Sequence, residues 1–311
     1  MHTKEIITLQ STYREDMKVK GFLFGKGDKA ACIVGSFRGN EIQQMYICSR
    51  LVQALRDLEN SGGICVGKQI LVIPNANPYS MNVGQKFFGM EESDINRMFP
   101  GNEKGETTSR IAAALFKEIA DYSYGIQFSS FSIAGEFAPH VRMMKTGYQN
   151  TSLANLFGLP YVVVKKPAPI DTKTLNYNWQ TEMTAAFLVY TNKTFEIDDK
   201  SARQAVAAVL RFLTRMGILR YESHSGYISH VIMEEDLTNV YTECAGIFKG
   251  LTELGEAVRY GQPLAQIMDP MEGSIRQMIL APTDGIVFFT HKEALVTQYD
   301  MVYRLIHRMH E

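Results

Sequence analysis

The chain has one tryptophan, four cysteines and no CxxC pair. Cys32, Cys48, Cys65 and Cys244 are scattered, which excludes a disulfide framework or a thiolate metal knuckle and reads as free thiols in a reducing compartment. No HExxH pair marks a helix-borne metal site. No apolar run approaches the ~18 residues that span a bilayer. The start, "MHTKEIITLQ", lacks a basic segment followed by an apolar one, so a cytoplasmic protein is expected. Charge is balanced as well: 32 Lys and Arg against 33 Asp and Glu give a net −1, which argues against nucleic acid and anionic membranes as partners.

What is present is ordinary globular material, 45% hydrophobic and 21% charged over 311 residues, enough for one large and one small domain. "KEIITLQ", "VKGFLFG" and "AACIVGS" read as strands. After "FRGNE" the apolar residues Ile42, Met45, Tyr46, Leu51, Leu55 and Leu58 recur at helical spacing. "QILVIPNANP" is a continuous apolar strand closed by Asn and Pro, and a long polar loop follows it, "YSMNVGQKFFGMEESDINRMFPGNEKGE". Helices and strands then alternate as far as "SARQAVAAVLRFLTRMGIL". That alternation predicts an α/β sheet covered on both faces over residues 1–220. Residues 221–311 are short apolar runs broken by Gly, Pro and Asp, which predicts a small all-β domain. "FRGNE" and the long loop both leave strand ends, where α/β proteins place ligands.

The ordered set "GSFRGNE", "NANP", "DINRMFPG", "ADYSYGIQFSS", "PHVR", "KTFEID" and "APTDGIV" resembles the succinylglutamate desuccinylase and aspartoacylase family, a branch of the zinc carboxypeptidase superfamily. The resemblance implies a carboxypeptidase-like mixed sheet flanked by helices and a C-terminal barrel-like or lipoyl-like β domain. It also implies a zinc-dependent hydrolase of N-acylated amino acids. The metal is held by His-x-x-Glu and a His in a later strand, and a glutamate assists the attacking water.

Carried over onto this sequence, Glu41 stands at the zinc glutamate. Arg38 and Gln127 stand where the family has histidines, and Gly125 where it has an orienting aspartate. Asn96, Arg97, His140 and Arg142 match substrate-side positions, Lys86 replaces a carbonyl-polarising arginine, and Glu196 matches the catalytic glutamate as relic or general base. Zinc needs imidazole, thiolate or carboxylate donors. Arginine has no lone pair to offer and keeps its charge.

The expectation is therefore a member that carries no metal, with Arg38 paired to Glu41 and Gln127 bonded to one of them. Such a protein would bind a small carboxylate-bearing molecule, or form a homo-oligomer or a hetero-oligomer with an active relative. The alternative is a deacylase with an altered zinc site, and a weaker third reading is a metal-free enzyme using Arg38 and Glu196. Trp179 and Tyr177 are expected on a loop over the crevice.

Overall fold

The computed structural model of the chain describes residues 1–13, 15–89, 91–131, 133, 135–193 and 196–307. They divide into two units, Met1–Ser130 with His140–Val231, and Phe131–Pro139 with the chain from Ile232 onward.

In chain order the elements up to residue 144 are β1 (His2–Leu9), β2 (Met17–Gly25), β3 (Gly27–Ser36), α1 (Ile42–Asn60), β4 (Gly67–Asn75), α2 (Pro78–Asn82), α3 (Thr107–Ile119), β5 (Tyr124–Ser129), β6 (Gly135–Phe137) and β7 (His140–Met144). Then come α4 (Thr151–Asn155), β8 (Tyr161–Lys165), α5 (Leu175–Thr181), β9 (Ala185–Tyr190), α6 (Asp199–Arg215) and β10 (His230–Met233). All of these strands except β6 form one nine-stranded sheet in the order β1-β2-β4-β3-β5-β9-β7-β8-β10. Its centre, β4-β3-β5-β9, is parallel, and β2 and β7 join that centre antiparallel.

The sequence of β3 shows how both faces are covered. Alternate residues of a strand point to opposite faces. Ala31 and Ile33 enter one core with Leu51 and Leu55 of α1 and Val209 and Phe212 of α6. Cys32 and Val34 enter the other with Ile111 and Leu115 of α3 and Trp179 of α5. A strand buried on both sides must be apolar throughout, which is why "AACIV" shows no alternation.

The second unit adds β11 (Leu237–Tyr241), β12 (Gly246–Gly250), β13 (Ala257–Val258), β14 (Pro263–Met268), β15 (Ile275–Leu280), β16 (Gly285–His291), β17 (Leu295–Val296) and β18 (Met301–His307). They form two antiparallel sheets, β11-β18-β16-β13 and β15-β14-β12-β17. Leu264, Ile267, Val287, Val302 and Tyr303 fill the core of this unit.

Three features differ from the sequence reading. The first unit extends to Val231, beyond residue 220, because β10 continues its sheet. The short segment Phe131–Pro139 belongs to the second unit, where β6 pairs with β16. Trp179 lies on α5, fully buried, not on a loop over a crevice; its indole Nε1 donates to the Ile119 carbonyl at 3.0 Å. A Cβ on Gly125 would stand 2.6 Å from the Trp179 ring, so the indole fills the space that a side chain at position 125 would need.

Candidate functional site

The turn from β3 into α1 is held from several sides. Gly39 donates its amide to the Gln85 carbonyl at 2.9 Å, and a Cβ there would sit 2.0 Å from the Ser80 carbonyl oxygen, so only glycine fits. Asn77 both caps α2, accepting from the Ser80 amide, and donates to the Phe37 carbonyl. "NANP" is thus a brace for the turn.

Inside this turn Glu41 is buried, and both of its oxygens are occupied. Oε2 accepts from the amides of Phe37 (3.0 Å) and Arg38 (3.1 Å); Oε1 accepts from Arg38 Nη1 (2.9 Å) and Ser130 Oγ (3.0 Å). The other edge of the same guanidinium goes to Asp94, with Nε at 3.1 Å and Nη2 at 2.7 Å from Oδ2. Asp94 itself stays in place because Oδ1 accepts the Asn96 amide. Burial works against the charge on Arg38, but the two carboxylates outweigh it and hold the guanidinium protonated well above its ordinary range.

Arg38 thus pairs with Glu41, as the charge argument requires. The bond expected from Gln127 is not made. Its Oε1 is buried without a hydrogen-bond partner among the described residues, and Ser130, three residues on, contacts Glu41 instead. Gln127 is two residues from Gly125 on β5, so the two share the face on which Trp179 packs.

A second polar group continues the first across the sheet. Ser129 of β5 pairs with Tyr190 of β9, which pairs with His140 of β7. The His140 ring stacks on Tyr190 at 4.6 Å, and Arg142 Nη1 donates to the Tyr190 hydroxyl at 3.0 Å. Burial disfavours the phenolate, but Arg142 and a hydrogen bond with Ser129 outweigh it and bring the Tyr190 phenol below its ordinary value.

The remaining expected residues stand apart from this network. Asn96 accepts the Leu175 amide at 3.1 Å, and Arg97 Nη1 reaches Asp171 at 3.3 Å and the Ile170 carbonyl at 3.2 Å, so both tie the long loop to the start of α5. That loop is also anchored by Ile95 and Phe99, which are fully buried. Lys86 lies over the Phe87 ring at 5.1 Å. Glu196 follows β9 in a loop, 74% exposed, and pairs with Lys193 at 2.8 Å. Its neighbours Thr194 and Phe195 lie outside the described residues.

Sequence reasoning missed Asp94, Ser130 and Tyr190. Asp94 opens the motif "DINRMFPG", but nothing in the sequence links position 94 to Arg38. It also passed over Asn176, fully buried on α5, whose side-chain amide makes no hydrogen bond among the described residues. The spacing His307-x-x-His310 has an HxxH form; His307 Nδ1 contacts Thr283 Oγ1 at 2.7 Å, and His310 lies outside the described residues.

Parallel strands ending together over a braced turn define an α/β scaffold with a polar site at its strand ends. Residues 28–216, more than half the chain, match the succinylglutamate desuccinylase/aspartoacylase catalytic domain, and the chain belongs to that family. It is similar to the N-alpha-acetyl-L-2,4-diaminobutyric acid deacetylase of Halomonas elongata, 21% identical over an alignment of 291 positions, with 88% of this chain and 80% of that protein covered. In fold it resembles a succinylglutamate desuccinylase from a Silicibacter species (TM-score 0.82, 17% identity, 98% of this chain and 94% of that one). It also resembles the ectoine utilization protein EutE of Ruegeria pomeroyi (TM-score 0.81, 17% identity, 99% and 95%).

The family implies zinc, and the residues at the ligand positions do not fit it. Position 38 presents a guanidinium, which offers no lone pair and repels a cation. Both oxygens of Glu41 are already committed to four donors. Among the described residues no group of three or more His, Cys, Asp or Glu side chains is placed to hold a metal.

Proposed function

We propose that this member of a deacylase family has exchanged its metal for an internal cation, and that it binds a small carboxylate-bearing molecule, such as an acyl amino acid, without hydrolysing it. The observation that carries this reading is the Arg38 guanidinium seated between Glu41 and Asp94 at 2.9 and 2.7 Å. One delocalised charge there serves two buried carboxylates that would otherwise be uncompensated. The orienting carboxylate is absent too, and Trp179 occupies the space at Gly125 that would be needed to restore it. Glu196 is exposed and paired with Lys193, away from a role as base.

Anion recognition is supported by one basic cluster that Arg97 of the long loop joins. Arg97 and Lys165 share one carboxylate, Asp171, at 3.3 and 2.8 Å, which leaves that group with one net positive charge. A cytoplasmic protein acting alone, or as a subunit with an active relative, is consistent with this reading.

The test is to incubate the purified protein with N-acetyl and N-succinyl amino acids, with and without added zinc, and to follow binding by saturation-transfer NMR and turnover by released amine. Binding without turnover is expected. Zinc-dependent hydrolysis at ordinary enzyme rates refutes the reading and establishes a deacylase with an altered metal site.

A further inference from the structure

The second unit contains a cavity of about 520 Å³ at the ends of β11, β16 and β18, of the size that small-molecule ligands occupy. Its chemistry is one-sided. Glu293 and Asp300 supply two carboxylates, Tyr241 and Tyr299 supply two aromatic faces, and among the described residues no lysine or arginine lines it. His291 also lines this cavity. It is only 5% exposed, and neither ring nitrogen meets hydrogen-bond geometry with a partner among the described residues, although the Glu293 backbone lies beside the ring. A buried ring nitrogen that faces a cavity and is left unsatisfied costs roughly 1–3 kcal/mol, a cost that a ligand able to bond it removes.

The carboxylates are available. The Glu293 carboxylate is exposed and forms no hydrogen bond or ion pair among the described residues, and the adjacent Lys292 is committed to Glu136 and Glu253. Asp300 uses one oxygen to accept the Thr297 amide, which fixes the turn that carries Tyr299. Tyr299 is held at φ +67°, a left-handed conformation that non-glycine residues seldom adopt, by a bond from its amide to the Thr242 carbonyl. It is 73% exposed, and Tyr241 is 49% exposed, so the ring faces are open to a ligand.

We propose that this cavity binds a small organic cation, an ammonium or guanidinium group, between the Tyr241 and Tyr299 rings, with Glu293 and Asp300 as its counter-charges and His291 accepting from its N–H at the base. Aromatic faces attract cations through the ring quadrupole, and carboxylates form charge-assisted bonds to N–H donors. Burial lowers the pKa of His291, against the pull of Glu293 and Asp300, and so favours the neutral ring, one nitrogen of which can accept.

The experiment titrates the full chain, with 15N-labelled histidine, against n-butylammonium and methylguanidinium, with 1-pentanol as the neutral control. The His291 resonance is assigned by its loss in His291→Gln. Saturable shifts of that resonance are expected with both cations and not with pentanol. Glu293→Gln, an exposed substitution that leaves the core untouched, is expected to weaken binding at least ~5-fold, the scale of one charge-assisted contact. No saturable shift, equal binding of pentanol, or unchanged affinity in the Glu293→Gln variant overturns the proposal.

Discussion

Replacing Arg38 with methionine keeps an unbranched apolar stem and removes the guanidinium and its charge. Two carboxylates, Glu41 at 6% and Asp94 at 10% side-chain exposure, then lose their common cation. Breaking a buried ion pair by deleting one partner costs about 3–5 kcal/mol. The lower end applies here, because Glu41 keeps Ser130 and two backbone amides and Asp94 keeps the Asn96 amide. A loss of about 3 kcal/mol in a unit of this size lowers Tm by about 6–12 °C. The triple variant R38M/E41Q/D94N is expected to recover most of the lost stability. Differential scanning calorimetry at pH 7 is the assay. An R38M protein within 1 °C of the parent at pH 7 refutes the reasoning, because Arg38 would then be a solvated surface charge.

Gly125→Ala places a methyl 2.6 Å from the Trp179 ring and is expected to cost about 1–3 kcal/mol, as overpacking does; chemical denaturation measures it, and Trp179, as the only indole, reports the local change by fluorescence. The Tyr190 phenol is expected to ionise below the ordinary tyrosine range, and Arg142→Met to move it upward; absorbance at the tyrosinate band, with Tyr190→Phe as the subtraction, reads both. Burial would raise the Asp171 pKa, but Lys165, the Ala168 amide and Arg97 outweigh it and hold it below the ordinary value. A carboxyl depressed on folding contributes stability that is present above its unfolded pKa, about 3.9, and is lost as pH falls through the folded value. The Asp171→Asn variant is therefore expected to be less stable than the parent at neutral pH and to lose that difference below about pH 4, as followed by urea melts.

The layers of the fold were legible because periodicity is local. "AACIV" announces a strand buried on both faces, and the helical spacing of Ile42 to Leu58 announces α1, which runs to Asn60. The Arg38–Glu41 pair was legible for the same reason, since three residues in one turn bring the charges together. Asp94 was not, because it arrives from a loop 56 residues away and no spacing rule links it to position 38. Ser130 and Gln127 differ by a rotation along one strand end, and sequence could not say which would face Glu41. The match between a missing side chain at Gly125 and the indole of Trp179 is a matter of volume across two elements, which a single sequence does not display. Glu196 was placed by motif alone, and its pairing with Lys193 in a loop shows how little a matching letter fixes a side chain's surroundings.

The account stands most directly on the metal content of the purified protein after exposure to excess zinc and thorough washing, read by elemental mass spectrometry. Far less than one zinc per chain is predicted, because Arg38 and the donors committed to Glu41 leave no ligand set. One zinc per chain, lost when Glu41 is replaced by alanine, would contradict it.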